Sequence, residues 1–377
     1  MRGRTRLKEL LVEKDKIKHN LKIIKKIIDS DGKNDNGEKV KIIAVVKGNG
    51  YGLGLVQYSK FLIDNGIKII AVATVEEAIQ LRKAGIKEDI LMMSSTAVKE
   101  DIQKMLDNNI ILTIGSKEAG DAVNDLSKTK KARVHLKIDT GFGRYGFIYS
   151  DEEKMIEYIK SWNNIKIEGT FSHFSIAFFG NGKETQLQFN RFLKCVETLK
   201  LNNIETGMLH ICNSSAFLRF KEMHLNAVRI GSALLGRLSI PNVWGFKKVG
   251  ILRSNVSEIK TLPKGYNIGY SNSFKTKKET KVAIIPCGYA DGFNVVVDKD
   301  MYRKIDKIRY IVRDVKNLFK KQGIFVMING EKCKVLGRLG MYHVTVDISG
   351  KDIDIGEEVL FEVSPIFVNS EISREYI

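Results

Sequence analysis

Short apolar runs alternate with amphipathic stretches from Val40 to about Gly236. The runs at 40–47, 67–74, 89–95, 110–116, 133–139, 165–173, 207–214 and 226–233 read as strands, and Val40 to Val46 suits one covered on both faces. Helical periodicity fills the gaps, as at 74–85, where Thr74 with Glu77 three residues on reads as a capping box and Gly85 as a stop. Further helices are predicted at 151–162 and 183–201, and an early one over 15–28 ahead of a polar loop at 29–39. Eight strands each followed by a helix predict a TIM (β/α)8 barrel, with chemistry at the C-terminal strand ends. A doubly wound sheet is the competing fold, but no Gly-x-Gly-x-x-Gly opens a helix after the first strand.

Beyond residue 245 the texture changes to strand-like segments separated by turns. They fall at 251–260, 280–286, 324–328, 332–337, 343–347 and 358–363, with Asn329-Gly330 marking a hairpin. An α/β barrel over 12–240 and an all-β domain over 241–377 are therefore expected, with residues 1–11 a candidate addition to the β domain. Within the second domain, 294–322 reads as a basic insertion carrying a helix near 312–321.

Composition narrows the class. A chain of 377 residues exceeds a comfortable single core, so two domains are the natural division. The 43% apolar and 28% charged shares are those of a globular protein. No apolar run approaches the ~20 residues that cross a bilayer. The basic start Met1-Arg2-Gly3-Arg4 has no apolar stretch behind it, so no signal peptide is read. Cys195, Cys212, Cys287 and Cys333 are scattered without CxxC spacing. They read as reduced thiols of a cytoplasmic protein, and no metal is expected. The net charge of +18, from 62 Lys+Arg against 44 Asp+Glu, is spread along helices without a nucleic-acid-binding motif. No specific nucleic-acid partner and no membrane partner are expected from it.

Chemistry enters at Val45-Val46-Lys47-Gly48-Asn49-Gly50-Tyr51-Gly52-Leu53-Gly54. A lysine ending a buried strand and entering a glycine-dense turn holds a primary amine at the rim of a site, with a pKa open to lowering. Such an amine can form a Schiff base with a carbonyl, and pyridoxal 5'-phosphate (PLP) is the commonest partner. A strand-end lysine snorkelling to solvent is the plain alternative. The segment resembles the PLP-attachment site of alanine racemases, fold-type III PLP enzymes. That resemblance implies that Lys47 carries PLP and Tyr51 contacts its phosphate. Leu53 stands where the family has a histidine.

The resemblance extends along the barrel. Lys137-Ile138-Asp139-Thr140-Gly141-Phe142-Gly143-Arg144 is similar to the family's segment whose arginine approaches the substrate carboxylate. Arg144 takes that role, supported by Lys137, which is often carbamylated in the family. Gly169-Thr170-Phe171-Ser172-His173 implies that His173 stacks on the pyridine ring. His210-Ile211-Cys212-Asn213-Ser214 implies a phosphate-binding Ser214 and a supporting His210; Asn213 also suits an ordinary turn. Arg229-Ile230-Gly231-Ser232 implies an arginine facing the pyridine nitrogen and backbone N–H groups of Gly231 and Ser232 cradling phosphate. Related decarboxylases place a carboxylate there, so Arg229 argues for racemisation. Leu235 replaces the family's tyrosine.

In the second domain, Gly269-Tyr270-Ser271 resembles the segment bearing the family's second base, which enters from the other subunit. Base work by a tyrosine calls for neighbouring positive charge. Gly288-Tyr289-Ala290-Asp291-Gly292 implies an entrance tyrosine at Tyr289, and Gly337-Arg338-Leu339-Gly340-Met341 implies a substrate contact at Met341. Tyr342 and Ser370 depart from the usual aspartate and tyrosine. Together these features imply a homodimeric racemase exchanging L- and D-alanine by two bases, Lys47 and Tyr270, to supply peptidoglycan. Serine or a larger amino acid is the alternative substrate. A noncatalytic PLP-binding protein is the alternative of another class, disfavoured by the β domain.

Overall fold

A computed structural model describes residues 8–31, 39–297, 304–318 and 323–377. The chain divides into two compact units, Lys14–Val249 and a second made of Met1–Glu13 with Gly250–Ile377. In the first unit the strands are β1 Lys41–Val45, β2 Ile69–Val72, β3 Asp89–Ser95, β4 Ile111–Ile114, β5 Ala132–Asp139, β6 Ile165–Phe171, β7 Met208–His210 and β8 Ala227–Ile230. Each is parallel to the next, β4 pairs with β5, and β8 returns to β1 through Arg229↔Ile43, which closes the ring. This is the expected barrel rather than an open sheet.

The eighth helical place is filled unexpectedly. β8 leads only into a short 3-10 turn, Ser232–Leu235, bounded by Gly236 at φ 65°. The early helix, Lys14–Asp31, meets that turn instead. Its buried Asn20 donates to the carbonyl of Leu234 at 3.0 Å and to that of Lys247 at 2.8 Å. These bonds also keep 241–249 with the barrel, nine residues beyond the boundary expected at 240. At the other end, Val12 pairs with Tyr376 and so lies with the β unit.

Strand alternation and register decide what fills the barrel. Ile43, Val45, Ala71, Leu91, Ile111 and Ala227 form a buried cluster inside it. The pairings Thr113↔His135, Lys137↔Phe171, Phe171↔His210 and Ala227↔His210 put His135, Lys137, Phe171, His210 and Arg229 on the same inward phase. One side of the interior is thus aliphatic and the other is cationic and imidazole-bearing.

The second unit is a nine-stranded sheet running Glu258–Leu262, Thr280–Ile285, Val344–Asp347, Glu331–Leu336, Phe325–Ile328, Glu358–Glu362, Ile251–Asn255, Glu9–Val12 and Ser373–Tyr376. The run expected as one strand over 251–260 breaks at Val256-Ser257. There Val256 bonds Glu357 and Ser257 bonds Ile284, so the chain changes neighbours within the sheet. Asn329 and Gly330 both have positive φ (49° and 75°) in the hairpin between Ile328 and its partner Glu331, as a primed turn requires. The two outermost short strands were not expected. Arg253 ties them in, contacting Glu9 and Glu375, with Glu358 at 3.5 Å. The insertion's helix runs Lys304–Leu318, starting well before the expected 312; residues 298–303 and 319–322 lie outside the described ones.

Leu91 is fully buried in the aliphatic half of the barrel. Leu91→Ala should lower the unfolding free energy of the barrel by about 2–5 kcal/mol, read by urea titration. A loss under about 1 kcal/mol would mean the interior is not close-packed there.

Candidate active site

The site begins with an unusual turn. Gly48, Asn49, Gly50 and Tyr51 all have positive φ, 65°, 55°, 65° and 53°, making a turn of left-handed helix directly after Lys47. L-residues lose about 1–2 kcal/mol each in that conformation, so glycines at two of the four positions make it tenable. Asn49 anchors the turn at both ends. Its Oδ1 accepts the N–H of Leu55 at 2.8 Å, and its own N–H donates to Glu77 Oε1 at 3.1 Å. Glu77 therefore does not close the reciprocal capping box expected of it. Thr74 accepts from Glu77 N–H at 3.3 Å, but the Glu77 carboxylate takes the N–H groups of Ala73 and Asn49. Leu53, in place of a histidine, is completely buried.

The turn aims Tyr51 across the barrel mouth at the end of β8. A Cβ on Gly231 would lie 2.4 Å from the Tyr51 hydroxyl, so only glycine fits. Ser214 Oγ accepts the N–H groups of Gly231 at 3.1 Å and Ala233 at 3.3 Å, and half-buried Ser232 opens the 3-10 turn. The Tyr51 phenol, the Ser214 hydroxyl and the N–H groups of Gly231 and Ala233 thus converge just after β8. Burial pushes the Tyr51 phenol up to about 12, with Glu77 adding to the shift, so it is a donor at neutral pH. Asn213 caps the helix Ser214–Arg219, accepting from Ser215 and Ala216, which is the turn role anticipated for it.

Arg229 is the centre of the network. Nη1 donates to His210 Nδ1 at 2.7 Å and to the His210 carbonyl at 3.1 Å. Nη2 reaches the carbonyls of Ser172 at 2.7 Å and Ile211 at 3.0 Å, and His173 Nδ1 at 3.1 Å. A guanidinium only donates, so both imidazoles must accept at Nδ1 and carry their proton on Nε2. His210 Nε2 then donates to His135 Nδ1 at 2.9 Å. Burial first, and Arg229 next, hold His173 and His210 well below the usual histidine range; burial takes His135 to about 4. All three are neutral at physiological pH. Burial lowers Arg229 to about 10, which leaves it charged.

His135 was not singled out from the sequence. Its signal was present: it stands two residues before Lys137, hence on the same strand face. Gly169 opposite it must be glycine, since a Cβ there would meet the imidazole at 2.6 Å.

Lys137 lies nearby, almost fully buried. Its Nζ is 5.2 Å from the centre of the Phe171 ring, which Arg229 approaches at the same distance. Burial, then Arg229 and Arg144, pull the Lys137 amine down to about 7. Arg144 sits on a loop wrapped around Asp139, whose two oxygens accept the N–H groups of Gly141, Phe142, Gly143 and Arg144 at 2.8–3.1 Å. Its guanidinium stacks on Phe142 at 4.4 Å, and Phe142 meets the edge of His173 at 5.3 Å. Lys47 remains accessible to solvent. Protein packed around the amine, together with Arg144 and Arg229, still lowers its pKa against the smaller opposing pull of Glu77. Lys47, Lys137, Arg144, His173, His210, Ser214, Arg229, Gly231 and Ser232 thus all lie at or just beyond C-terminal strand ends of one barrel.

The remaining candidates, Tyr270, Tyr289 and Met341, stand in the β unit, where their loops abut. The N–H groups of Tyr289 and Ala290 donate to the carbonyls of Gly340 and Met341. Gly269 packs against the Arg338 backbone, and Ser273 Oγ accepts the Arg338 N–H at 2.9 Å. Tyr270 is 68% exposed and is followed by Ser271 at φ 59°, a conformation that suits glycine better.

Residues 12–239 match the profile described as alanine racemase, N-terminal domain, and 249–364 that of alanine racemase, C-terminal domain. Alanine racemase 1 of Caldanaerobacter subterraneus subsp. tengcongensis is 32% identical over 92% of this chain and 83% of its own. The alanine racemase of Clostridium tetani is 32% identical over 93% and 84%. A solved alanine racemase structure from Clostridium difficile 630 superposes with a TM-score of 0.78 at 27% identity, covering 98% of this chain and 89% of that one. The chain belongs to the alanine racemase family.

Within that family's pattern, the departures have visible physical settings. Leu235, like Leu53, is buried apolar packing. Tyr342 lies half exposed under Lys8, whose Nζ is 5.3 Å from the ring and 2.7 Å from Asp291. Exposed Ser370 sits on a loop whose carbonyls at Val368, Asn369 and Ser370 accept from Arg374.

The lowered Lys137 amine predicts a pH signature. Between about pH 7 and its ordinary range near 10.5 the unfolded chain holds a proton there that the folded chain lacks, so folded stability rises with pH across that window. Below pH 7 both states are protonated and the penalty is constant. Lys137→Met should therefore stabilise the protein at pH 7 by roughly 1–3 kcal/mol and flatten its stability between pH 7 and 10. Melts in carbon dioxide-free buffer test this, because a neutral amine takes up carbon dioxide as a carbamate. Parallel curves for both proteins would show that Lys137 is not desolvated.

Proposed function

We propose that this chain interconverts L- and D-alanine as a PLP enzyme whose two proton carriers are Lys47 and Tyr270. The observation that carries the reading is the buried Arg229 cation at the barrel mouth, locked by two neutral histidines with, among the described residues, no carboxylate bonded to it. The residues fit the cofactor. The Tyr51 and Ser214 hydroxyls and the N–H groups of Gly231 and Ala233 converge just after β8, where Ser232 opens the 3-10 turn, and these are groups able to bind a phosphate. His173 offers its ring near Arg229, and Arg229 would face the pyridine nitrogen, which a permanent cation keeps unprotonated.

When bound, PLP would supply electron withdrawal from the substrate's α-carbon. The protein's own tasks are positioning and proton traffic. Arg144, with Met341 beside it from the β unit of a partner, would hold the substrate carboxylate. Lys47, its pKa lowered, would take or return the α-proton on one face. Tyr270 would do so on the other, and Tyr289 would line the entrance. Support for a two-chain site comes from the exposed Tyr270 phenol on the same set of abutting loops as Tyr289 and Met341. A head-to-tail homodimer follows from this reading, in the cytoplasm, with D-alanine for peptidoglycan as product. Ser370 in place of a pocket tyrosine makes serine the second substrate to assay.

Lys47→Ala should abolish α-deuterium wash-in from heavy water with either enantiomer of alanine, and lose the visible absorbance of bound PLP. Exchange equal to wild type would remove the catalytic assignment. Serine exchanging while alanine stays inert would reassign the substrate. Mixing inactive Lys47→Ala with inactive Tyr270→Phe, then unfolding and refolding them together, should restore about a quarter of wild-type activity, because half the random dimers carry one intact shared site. No recovery, with mixed dimers present, would place both bases on one chain.

A further inference from the structure

The insertion's helix, Lys304–Leu318, has its apolar stripe on the outside. Ile308, Ile311, Val312 and Val315 follow the i, i+3, i+4, i+7 spacing of one helix face, and they are 62%, 63%, 47% and 49% exposed. Asp306 and Tyr310, roughly 200° around the helix from Ile308 in either direction, are its buried and half-buried positions. A helix that served only this domain's core would be turned the other way. The helix holds five lysines and arginines against two aspartates, and the whole segment 294–322 holds nine against four. Arg309 and Lys316 flank the stripe on one side and Lys307 on the other.

We propose that this face docks on an anionic lipid surface, the four aliphatic side chains entering the headgroup boundary and the flanking cations meeting lipid phosphates. Aliphatic area flanked by Lys and Arg is what such a surface binds. A second copy fits worse, because a two-fold contact would set cation against cation. Nucleic acid fits worse too: the stripe offers no donors and no ring to stack on bases. Among the described residues no helix is long and apolar enough to cross a membrane. This one would lie flat, a partner that composition alone did not suggest, and the contact is independent of the racemase reading.

Cosedimentation of the full-length protein with vesicles tests it. Wild type should pellet with phosphatidylglycerol–phosphatidylcholine vesicles and at least ~10-fold more weakly with phosphatidylcholine alone. Arg309→Gln/Lys316→Gln should cut that partitioning about 30-fold, taking roughly fivefold per basic residue. Ile308→Asn/Ile311→Asn should also cut it, with α-proton exchange unchanged in both variants. The proposal falls if wild type stays in the supernatant, or if the isoleucine variant binds as well as wild type, leaving only diffuse charge. It also falls if sedimentation velocity shows that variant reduced to a smaller species, which would give the face to a second copy.

Discussion

Holding a guanidinium inside a barrel is the constraint from which the rest of this site follows. An unpaired buried charge is expensive, and replacing its hydration takes several well-aimed acceptors. Arg229 has five: three carbonyls and two imidazole nitrogens. That choice of partners matters more than their number. A carboxylate would neutralise the charge, whereas carbonyls and imidazoles solvate it and leave it positive. Burial first, and the Arg229 charge with it, disfavour protonation of the neighbours, so His173, His210 and His135 are held neutral and Lys137 is drawn toward neutrality. A barrel mouth lined by Lys47, Lys137, Arg144 and Arg229 is short of anions. Asp139 is already committed to its own loop and Glu77 to the turn after Lys47. A ligand bearing a phosphate and a carboxylate is the natural complement to such a field.

The second constraint is local and conformational. Lys47 could end its strand in many ways, but the left-handed turn that follows determines where both it and Tyr51 point. Such a turn is unfavourable in isolation and persists because its surroundings hold it. Asn49 starts the next helix with its side chain, and Glu77 reaches over from beyond the neighbouring strand to take its N–H. Glu77 thus works twice on the same machinery, by pinning the turn and by its field at Lys47 and Tyr51.

Much of this was legible in the sequence because its signals are short-range. Apolar or alternating runs marked all eight barrel strands, and Asn329-Gly330 marked its hairpin. The lysine-then-glycine pattern located the turn, though not its handedness. What escaped is non-local. Glu9–Val12 and Ser373–Tyr376 are short strands whose reason for existing is each other and Arg253. The break at Val256-Ser257 reflects a change of partners that no periodicity records. Glu77 looked like a capping residue because its local spacing allowed that, and tertiary contact with Asn49 won instead. His135 shares a strand face with Lys137, but its partners His210 and Gly169 come from distant segments, so its place in the network showed only in the fold. The insertion helix was placed too late in the chain, since its stripe begins at Ile308 and its apolar face has no core to point to.

The same electrostatics account for the proposed division of labour between two units. Moving a proton from one face of a carbon to the other takes two carriers on opposite sides. The barrel supplies one, in Lys47. Its other titratable groups near the mouth are unsuited: the imidazoles are tied to Arg229, Arg144 is stacked on Phe142, and Lys137 is buried against Phe171. A carboxylate added to this rim would pair with Arg144 or quench the field of Arg229, and the anion-binding character would go with it. A phenol from outside avoids that conflict. It brings no charge until it gives up its proton, and the cations it would then meet stabilise the phenolate. An exposed tyrosine on a rigid set of β loops, with Gly269 packed against Arg338, is the form such a visiting base should take.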